Sequence, residues 1–191
     1  MKSYHIPTGD WPLEIEPYHI LMKKLNLVEA DYDSADVLLL PGGSDIGMRP
    51  DRDKAEFRAY EEFTFAQKPV LGICRGLQVM LLLTDENIIQ HIPDMVNECM
   101  HTTQSGDWRG ESSWHITHLG LLTNSRHHQG FLSNEVSTWN ILDYTKDGIV
   151  EAVKFKNQFA VQWHPEHEEM NGRLAQEWWI NTAKEIINKT H

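Results

Sequence analysis

Cysteine is scarce in this sequence, with two residues among 191, Cys74 and Cys99. One pair cannot supply a disulfide framework, and a reducing cytoplasm is the expected compartment. Positive charge is also sparse. Seventeen Lys and Arg stand against twenty-eight Asp and Glu, for a formal net charge of −11. Nucleic-acid phosphates are held by clustered Lys and Arg, so the balance argues against a nucleic-acid partner. Long apolar runs are missing as well. The longest, Val37–Leu40 and Val79–Leu83, are far shorter than the roughly 18 residues of a membrane span, so no membrane association is expected. The opening Met1–Pro7 holds no apolar stretch of signal-peptide length. Repeats, low-complexity tracts and linkers are not evident. What is present, 40% hydrophobic and 24% charged residues, is the composition of a folded globular chain. One domain over residues 1–191 is expected, since domains run to roughly 150 residues.

Strand-like segments alternate with helical ones, the pattern of a mostly parallel sheet covered on both faces. Tyr4–Ile6 reads as a short first strand. Glu14–Leu25 spaces Ile15, Tyr18, Leu21, Met22 and Leu25 as one face of a helix. Asp36–Leu40 is a continuous apolar run stopped by Pro41-Gly42-Gly43, as a strand buried on both faces would be. Asp51–Gln67 is predicted helical, with Phe57, Tyr60 and Phe63 inward. Pro69–Ile73 is the next buried strand and Leu77–Leu83 a buried helix. Gly148–Phe155 and Gln158–Trp163 read as paired strands turning at Lys156-Asn157, and Leu174–Ile187 as a closing helix. Between Pro93 and Ser125, rich in Trp, His, Ser and Thr, short antiparallel strands are expected. The architecture is therefore α/β, three layers around a central sheet, with a small antiparallel subsheet.

The chemically informative stretch is Gly72-Ile73-Cys74-Arg75-Gly76-Leu77-Gln78. A buried strand runs directly into a helix with a cysteine at the corner and glycine two residues to either side. This is the Cys form of the nucleophile elbow. Side chains on neighbouring turns would clash at so sharp a bend, which is why glycine is required there. The helix N-terminus and a nearby histidine would both favour thiolate. The Arg75 N–H is placed to donate to an oxyanion. The competing reading is a buried cysteine acting as a small hydrophobe. The paired glycines weigh against it for Cys74, and nothing weighs against it for Cys99.

A thiol nucleophile needs a base, and the base an orienting group. Ala160–Trp163 reads as a strand ending in His164-Pro165-Glu166. Pro165 restricts His164 to extended geometry. Glu166 can then hold the ring tautomer from the far side. A solvent-facing turn is the bland alternative. The 90 residues separating Cys74 and His164 are no obstacle, because parallel strands bring their carboxyl ends to one sheet edge.

Together these two segments resemble the class I glutamine amidotransferases, and most closely their γ-glutamyl-γ-aminobutyrate hydrolase-like (peptidase C26) branch. Leu40-Pro41-Gly42-Gly43-Ser44-Asp45 is similar to the family's oxyanion strand. Arg52-Asp53 and Asn124-Ser125-Arg126-His127-His128-Gln129 resemble further elements of that branch. The resemblance runs from about Val37 to Glu166, in the family's order. It implies a flavodoxin-like fold and a Cys74–His164–Glu166 triad. It also implies an oxyanion hole from the Gly43 and Arg75 N–H groups, and a glutamyl pocket lined by Gln78, His127, His128 and Gln129. The implied reaction is hydrolysis of a small γ-glutamyl amide through a thioester, without a cofactor. The alternative is a glutaminase subunit delivering ammonia to a synthase partner. The chain departs from the family where a Gly-Gly turn usually follows the nucleophile helix: here it has Thr84-Asp85-Glu86-Asn87. Its stretch before Pro41 is also shorter than usual.

Other readings remain beside this one. His115-x-x-His118, His164-x-x-His167 and the adjacent His127 and His128 invite a metal. Structural zinc sites usually carry paired cysteines, which are lacking, so no metal is expected. An inactive binding module is disfavoured by the intact triad candidates. Trp178-Trp179 suggests core packing or a homodimer contact. Trp108 and Trp114 would stack on the leaving group or fill the middle segment. Arg49, Arg52 and Arg109 are candidates for meeting an anionic leaving group.

Overall fold

A computed structural model describes residues 2–7, 15–92 and 113–189. In chain order the elements are β1 (Ser3–His5), α1 (Glu16–Lys24), β2 (Val28–Glu29), β3 (Val37–Leu40), α2 (Pro50–Phe65), β4 (Val70–Ile73) and α3 (Arg75–Leu82). Then come β5 (Ser113–Ile116), β6 (Leu122–Ser125), β7 (Asn140–Tyr144), β8 (Val150–Phe155) and β9 (Gln158–Val161). A 3-10 turn at Glu168–Met170 leads into α4 (Arg173–Asn188).

Seven strands form one sheet in the order β2-β1-β3-β4-β9-β8-β7. β2, β1, β3, β4 and β9 are parallel to one another; β8 runs antiparallel to β9, and β7 antiparallel to β8. The continuous apolar strands β3 and β4 are buried on both faces, as their composition demands. In β3, Leu39 joins α1 and α4 on one face, while Leu38 and Leu40 pack with α2 and α3 on the other. The alternation of side chains along a strand is thus what divides the molecule into three layers.

Local chemistry explains most element ends. α2 begins at Pro50, pre-set for a first helical position, with Asp51 and Asp53 in its positive first turn. The β8–β9 hairpin turns at Lys156-Asn157, where Lys156 takes a left-handed φ of 53°. After α3, Asp85 takes the left-handed conformation (φ 63°) in the Thr84-Asp85-Glu86-Asn87 turn. Glu86 then accepts the backbone N–H groups of Ser137 and Thr138. The expected antiparallel subsheet is β5–β6, pairing Trp114 with Asn124 and Ile116 with Leu122. The rest of the expected middle region, residues 93–112, lies outside the described residues, as do Cys99, Trp108 and Arg109.

Trp179 is buried among Leu71, Ile73, Phe159 and Val161, and Trp178 lies against Phe159 and Trp163. The pair is core packing. No helix among the described residues is long and apolar enough to cross a membrane. Trp179→Ala is expected to cost about 3–5 kcal/mol, the usual range for deleting a buried aromatic, read as a lower midpoint in urea denaturation.

Candidate active site

β4 and β9 are adjacent and parallel, with Ile73 paired to Val161. Their carboxyl ends therefore deliver Cys74 and the His164-Pro165-Glu166 turn to the same place. Cys74 N–H continues the ladder by donating to Val161 O at 2.8 Å. The next bond turns sharply: Cys74 has φ 50° and ψ −104° and directly precedes the first residue of α3. A non-glycine residue in this region costs roughly 1–3 kcal/mol, so the surroundings must impose it. The flanking glycines permit it. A Cβ on Gly76 would sit 2.2 Å from the Leu40 carbonyl oxygen. One on Gly72 would lie 2.6 Å from Met80 Sδ and 2.9 Å from the Gly76 carbonyl carbon.

His164 is buried, with the Cys74 sulfur on one side near enough to act on the charge of its ring. On the other, its Nδ1 lies 2.6 Å from Glu166 Oε1. Burial opposes charge on the imidazole, but the Glu166 carboxylate and the Cys74 sulfur outweigh it and hold the ring's pKa up to about 10. Burial likewise works against the Glu166 charge, and His164 more than compensates, so that carboxyl lies below its ordinary range. Gly42 admits this ring, since a Cβ there would meet His164 Cε1 at 2.6 Å. Tyr18, from α1, accepts the Gly42 N–H at 3.0 Å and lies within the electrostatic reach of Glu166. Burial first, and then the Glu166 charge, push its ionisation well above an ordinary tyrosine.

Gly43 and Arg75 are joined by a buried charge network. Arg52 Nη2 donates to Gly42 O at 2.8 Å, fixing the peptide plane whose N–H belongs to Gly43. Arg52 Nε donates to Glu56 Oε1 at 2.7 Å, and Arg75 Nε to Glu56 Oε2 at 3.0 Å. Arg75 Nη2 also meets Asp53 Oδ1 at 2.6 Å, and Arg75 Nη1 donates to Ser44 O at 3.1 Å. Asp53 Oδ2 accepts the Gly47 N–H at 2.9 Å. The Arg52-Asp53 pair is therefore part of the scaffold beneath both expected oxyanion donors. The Arg52 guanidinium is committed to it, while Arg49 is exposed at the start of α2.

The expected pocket residues divide. Gln78 lies one turn beyond Cys74 on α3, and its Nε2 donates to Gln129 O at 3.4 Å. Gln129 donates to Gln90 Oε1 at 2.7 Å, and its own Oε1 is buried with no partner among the described residues. His128 sits 3.0 Å from Asp45 and 3.3 Å from His91. His127 is turned inward: its Nδ1 bonds Gln129 O at 2.9 Å and its Nε2 lies 3.6 Å from Glu151. Glu151 also meets His115 at 3.2 Å. Burial raises its pKa, yet the two histidines hold it down to about 2. His115 and His118 do not share a site, since His118 is exposed and stacked on Tyr144. Among the described residues, His164, Glu166 and His167 are the group whose atoms could meet on one metal ion. Trp114 is half-exposed and donates to Met170 O.

Residues 20–166 match the sequence profile of the peptidase C26 family. The chain belongs to the peptidase C26 family. Cys74, His164 and Glu166 all lie within the match. This C26 chain is 31% identical over 157 residues to YvdE of Lactococcus lactis, named as a glutamine amidotransferase-like protein, covering 69% of this chain and 66% of that one. It is 29% identical over 161 residues to Rv2859c of Mycobacterium tuberculosis, named as a glutamine amidotransferase, covering 70% of this chain and 51% of the relative. The chain thus spans between half and two thirds of these relatives. Among solved structures, a glutamine amidotransferase of Thermotoga maritima superposes with a TM-score of 0.62 at 15% identity, covering 98% of this chain and 84% of the other. That likeness establishes the glutamine amidotransferase fold.

Sequence reasoning missed Tyr18 and Glu56. Tyr18 reads as one more apolar position of α1, and Glu56 as an ordinary helical glutamate. Removing one partner from a buried ion network usually costs about 3–5 kcal/mol, because the remaining charge is left uncompensated. Glu56→Gln is expected to destabilise by that order in urea unfolding, whereas Glu62→Gln, on the exposed part of the same helix, should change stability by less than about 1 kcal/mol.

Proposed function

We propose that this protein is a cysteine-dependent γ-glutamyl amide hydrolase. The observation that carries the reading is the left-handed Cys74 corner set against the buried His164–Glu166 pair. Membership of peptidase C26 and the glutamine amidotransferase-like relatives support it.

A γ-glutamyl amide resists water at neutral pH. Covalent catalysis divides its cleavage into two easier steps. The Cys74 thiolate attacks the γ-carbonyl carbon, and the oxygen takes up negative charge between the Gly43 and Arg75 N–H groups. His164, as imidazolium, gives its proton to the nitrogen. The C–N bond breaks and the amine leaves, with glutamate held as a thioester. Water then loses a proton to His164 as it adds to the thioester. The C–S bond breaks, releasing glutamate and restoring the thiolate. Glu166 holds the ring tautomer throughout. Gln78, His128 and Gln129 would hold the glutamyl end, with His127 behind them.

The pH dependence follows from His164. Its pKa is raised in the fold, so the imidazolium contribution is complete below the ordinary value of about 6.5 and fades as pH rises through about 10. Glutamate release should therefore decline on an alkaline limb near pH 10.

Cys74→Ala is expected to abolish glutamate release with little change in stability, and an electrophilic glutamine analogue should add to Cys74. Turnover at the parent rate by Cys74→Ala, or a mass-spectrometric adduct on Cys99 instead, would overturn the assignment. A panel of γ-glutamyl conjugates beside free glutamine, each with and without a candidate synthase, separates the hydrolase from an ammonia-delivering subunit. Preference for the conjugates without a partner is the expected result.

A further inference from the structure

The main chain at His164 lies beyond the end of β9, and among the described residues no strand pairs with it to complete its hydrogen bonds. A side chain takes that place. Asn124 Oδ1, from β6, accepts the His164 N–H at 3.0 Å, and Asn124 Nδ2 donates to the His164 carbonyl at 2.9 Å. One amide thus grips both polar groups of a single residue, as a neighbouring strand would. Asn171, beyond the 3-10 turn, closes the arrangement. Its Oδ1 accepts from Asn124 Nδ2 and from the Asn124 backbone N–H, each at 3.0 Å. Its Nδ2 donates to the His164 carbonyl at 2.8 Å and to the His167 carbonyl at 2.9 Å. The His164 carbonyl thus accepts from both amides, and more distantly from the His167 N–H at 3.2 Å.

We infer that Asn124 and Asn171 are positioning residues, a paired amide clamp that sets the His164 main chain so that the ring meets Cys74. The inference rests on the hydrolase reading for its consequence in turnover, but not for its geometry. Three physical points carry it. Asn124 is fully buried, where an amide stays only if its donors and acceptor are used. The chemistry also demands asparagine: the backbone N–H needs an acceptor and the carbonyl a donor, at fixed spacing. Aspartate lacks the donor, serine cannot reach both groups, and glutamine adds a methylene. Finally, Pro165 has no N–H of its own and the turn's own backbone bond, from the His167 N–H to the His164 carbonyl, is long at 3.2 Å, so the two amides supply the shorter bonds that hold it. A base displaced by about 1 Å can lose about 10²-fold in rate, so holding the main chain matters to the chemistry.

The test reads Cys74 directly. Peptide-resolved iodoacetamide alkylation of the full-length chain is measured at mildly acidic and mildly alkaline pH, which reports how the His164 ring affects the reactivity of Cys74. In Asn124→Ala the acid-to-alkaline rate ratio should fall about fivefold or more, with circular dichroism unchanged. Asn171→Ala should move the ratio the same way. The double variant should fall short of the product of the two, because both act on one group. Asn124→Asp, which keeps the acceptor alone, should lie between wild type and Asn124→Ala. Where the parent releases glutamate, kcat should drop by up to about 10²-fold with KM nearly unchanged. An unchanged alkylation ratio in folded Asn124→Ala or Asn171→Ala, even with lowered stability, overturns the clamp. If Asn124→Ala does not fold, Asn171→Ala decides by the same criterion. A parent chain that alkylates as expected yet turns over no γ-glutamyl amide sinks the hydrolase reading and leaves the alkylation comparison standing.

Discussion

The Glu56 carboxylate is bound on one oxygen by Arg52 and on the other by Arg75. Arg52 reaches on to the Gly42 carbonyl, and Arg75 opens the helix that follows Cys74. Two loops from different strands, the end of β3 and the end of β4, are thereby referred to one buried anion. Asp53 supplies the second negative charge, so two cations face two anions with little access to water. Such a network is a doubtful source of net stability, since desolvation offsets much of its attraction. Its value lies in geometry. Guanidinium forks accept few alternative arrangements, so the peptide carrying the Gly43 N–H and the one carrying the Arg75 N–H are held in fixed relation.

That fixed frame makes the strain at Cys74 affordable. The left-handed corner persists because the ladder bond to Val161 holds it from one side and α3 from the other. The glycines remove only the obstacles; they do not impose the bend. At Gly76 the obstacle is the backbone of β3 itself, which cannot move aside without breaking its pairing with β4. The corner and the end of β3 are thus so close that neither can shift alone.

What could be read from the chain follows a physical rule. The buried parallel strands, the glycine-flanked cysteine and the His-Pro-Glu turn announce themselves within a few residues, because local sterics and apolar runs set them. Partnerships formed across the fold leave no such trace. Asn124 meets His164 forty residues away, Tyr18 meets Gly42 twenty-four away, and Glu56 meets Arg75 nineteen away. Glu151 shows the difficulty best. In the strand Val-Glu-Ala-Val-Lys-Phe it reads as a solvent-facing residue, yet it is buried because His115 and His127 converge on it. The same convergence accounts for His127 facing inward. β7 escaped notice because its sequence, Asn-Ile-Leu-Asp-Tyr, alternates poorly, its Asp143 being buried and accepting the Leu119 N–H.

The arrangement also separates what is rigid from what can vary. Cys74, His164 and the Gly42-Gly43 segment sit beyond the ends of β4, β9 and β3, three neighbours in one hydrogen-bonded sheet. Around them, Asp45, His91, His128 and Trp114 belong to loops and to the two-stranded subsheet, outside that ladder. A substitution in the sheet must respect the register of its neighbours, whereas one on the rim need only respect its own loop. Exchanging rim residues can therefore reshape the edge of the site without disturbing Cys74, His164 and the strand ends that hold them. Asn124 is the exception that ties the two parts together, since a residue of the subsheet holds the main chain of the base. The subsheet is consequently constrained on both faces, at Asn124 on one and at His115, which meets Glu151, on the other. Trp114, Ile116 and Leu122 share the Asn124 face but are exposed, so the freedom to diverge lies at those positions.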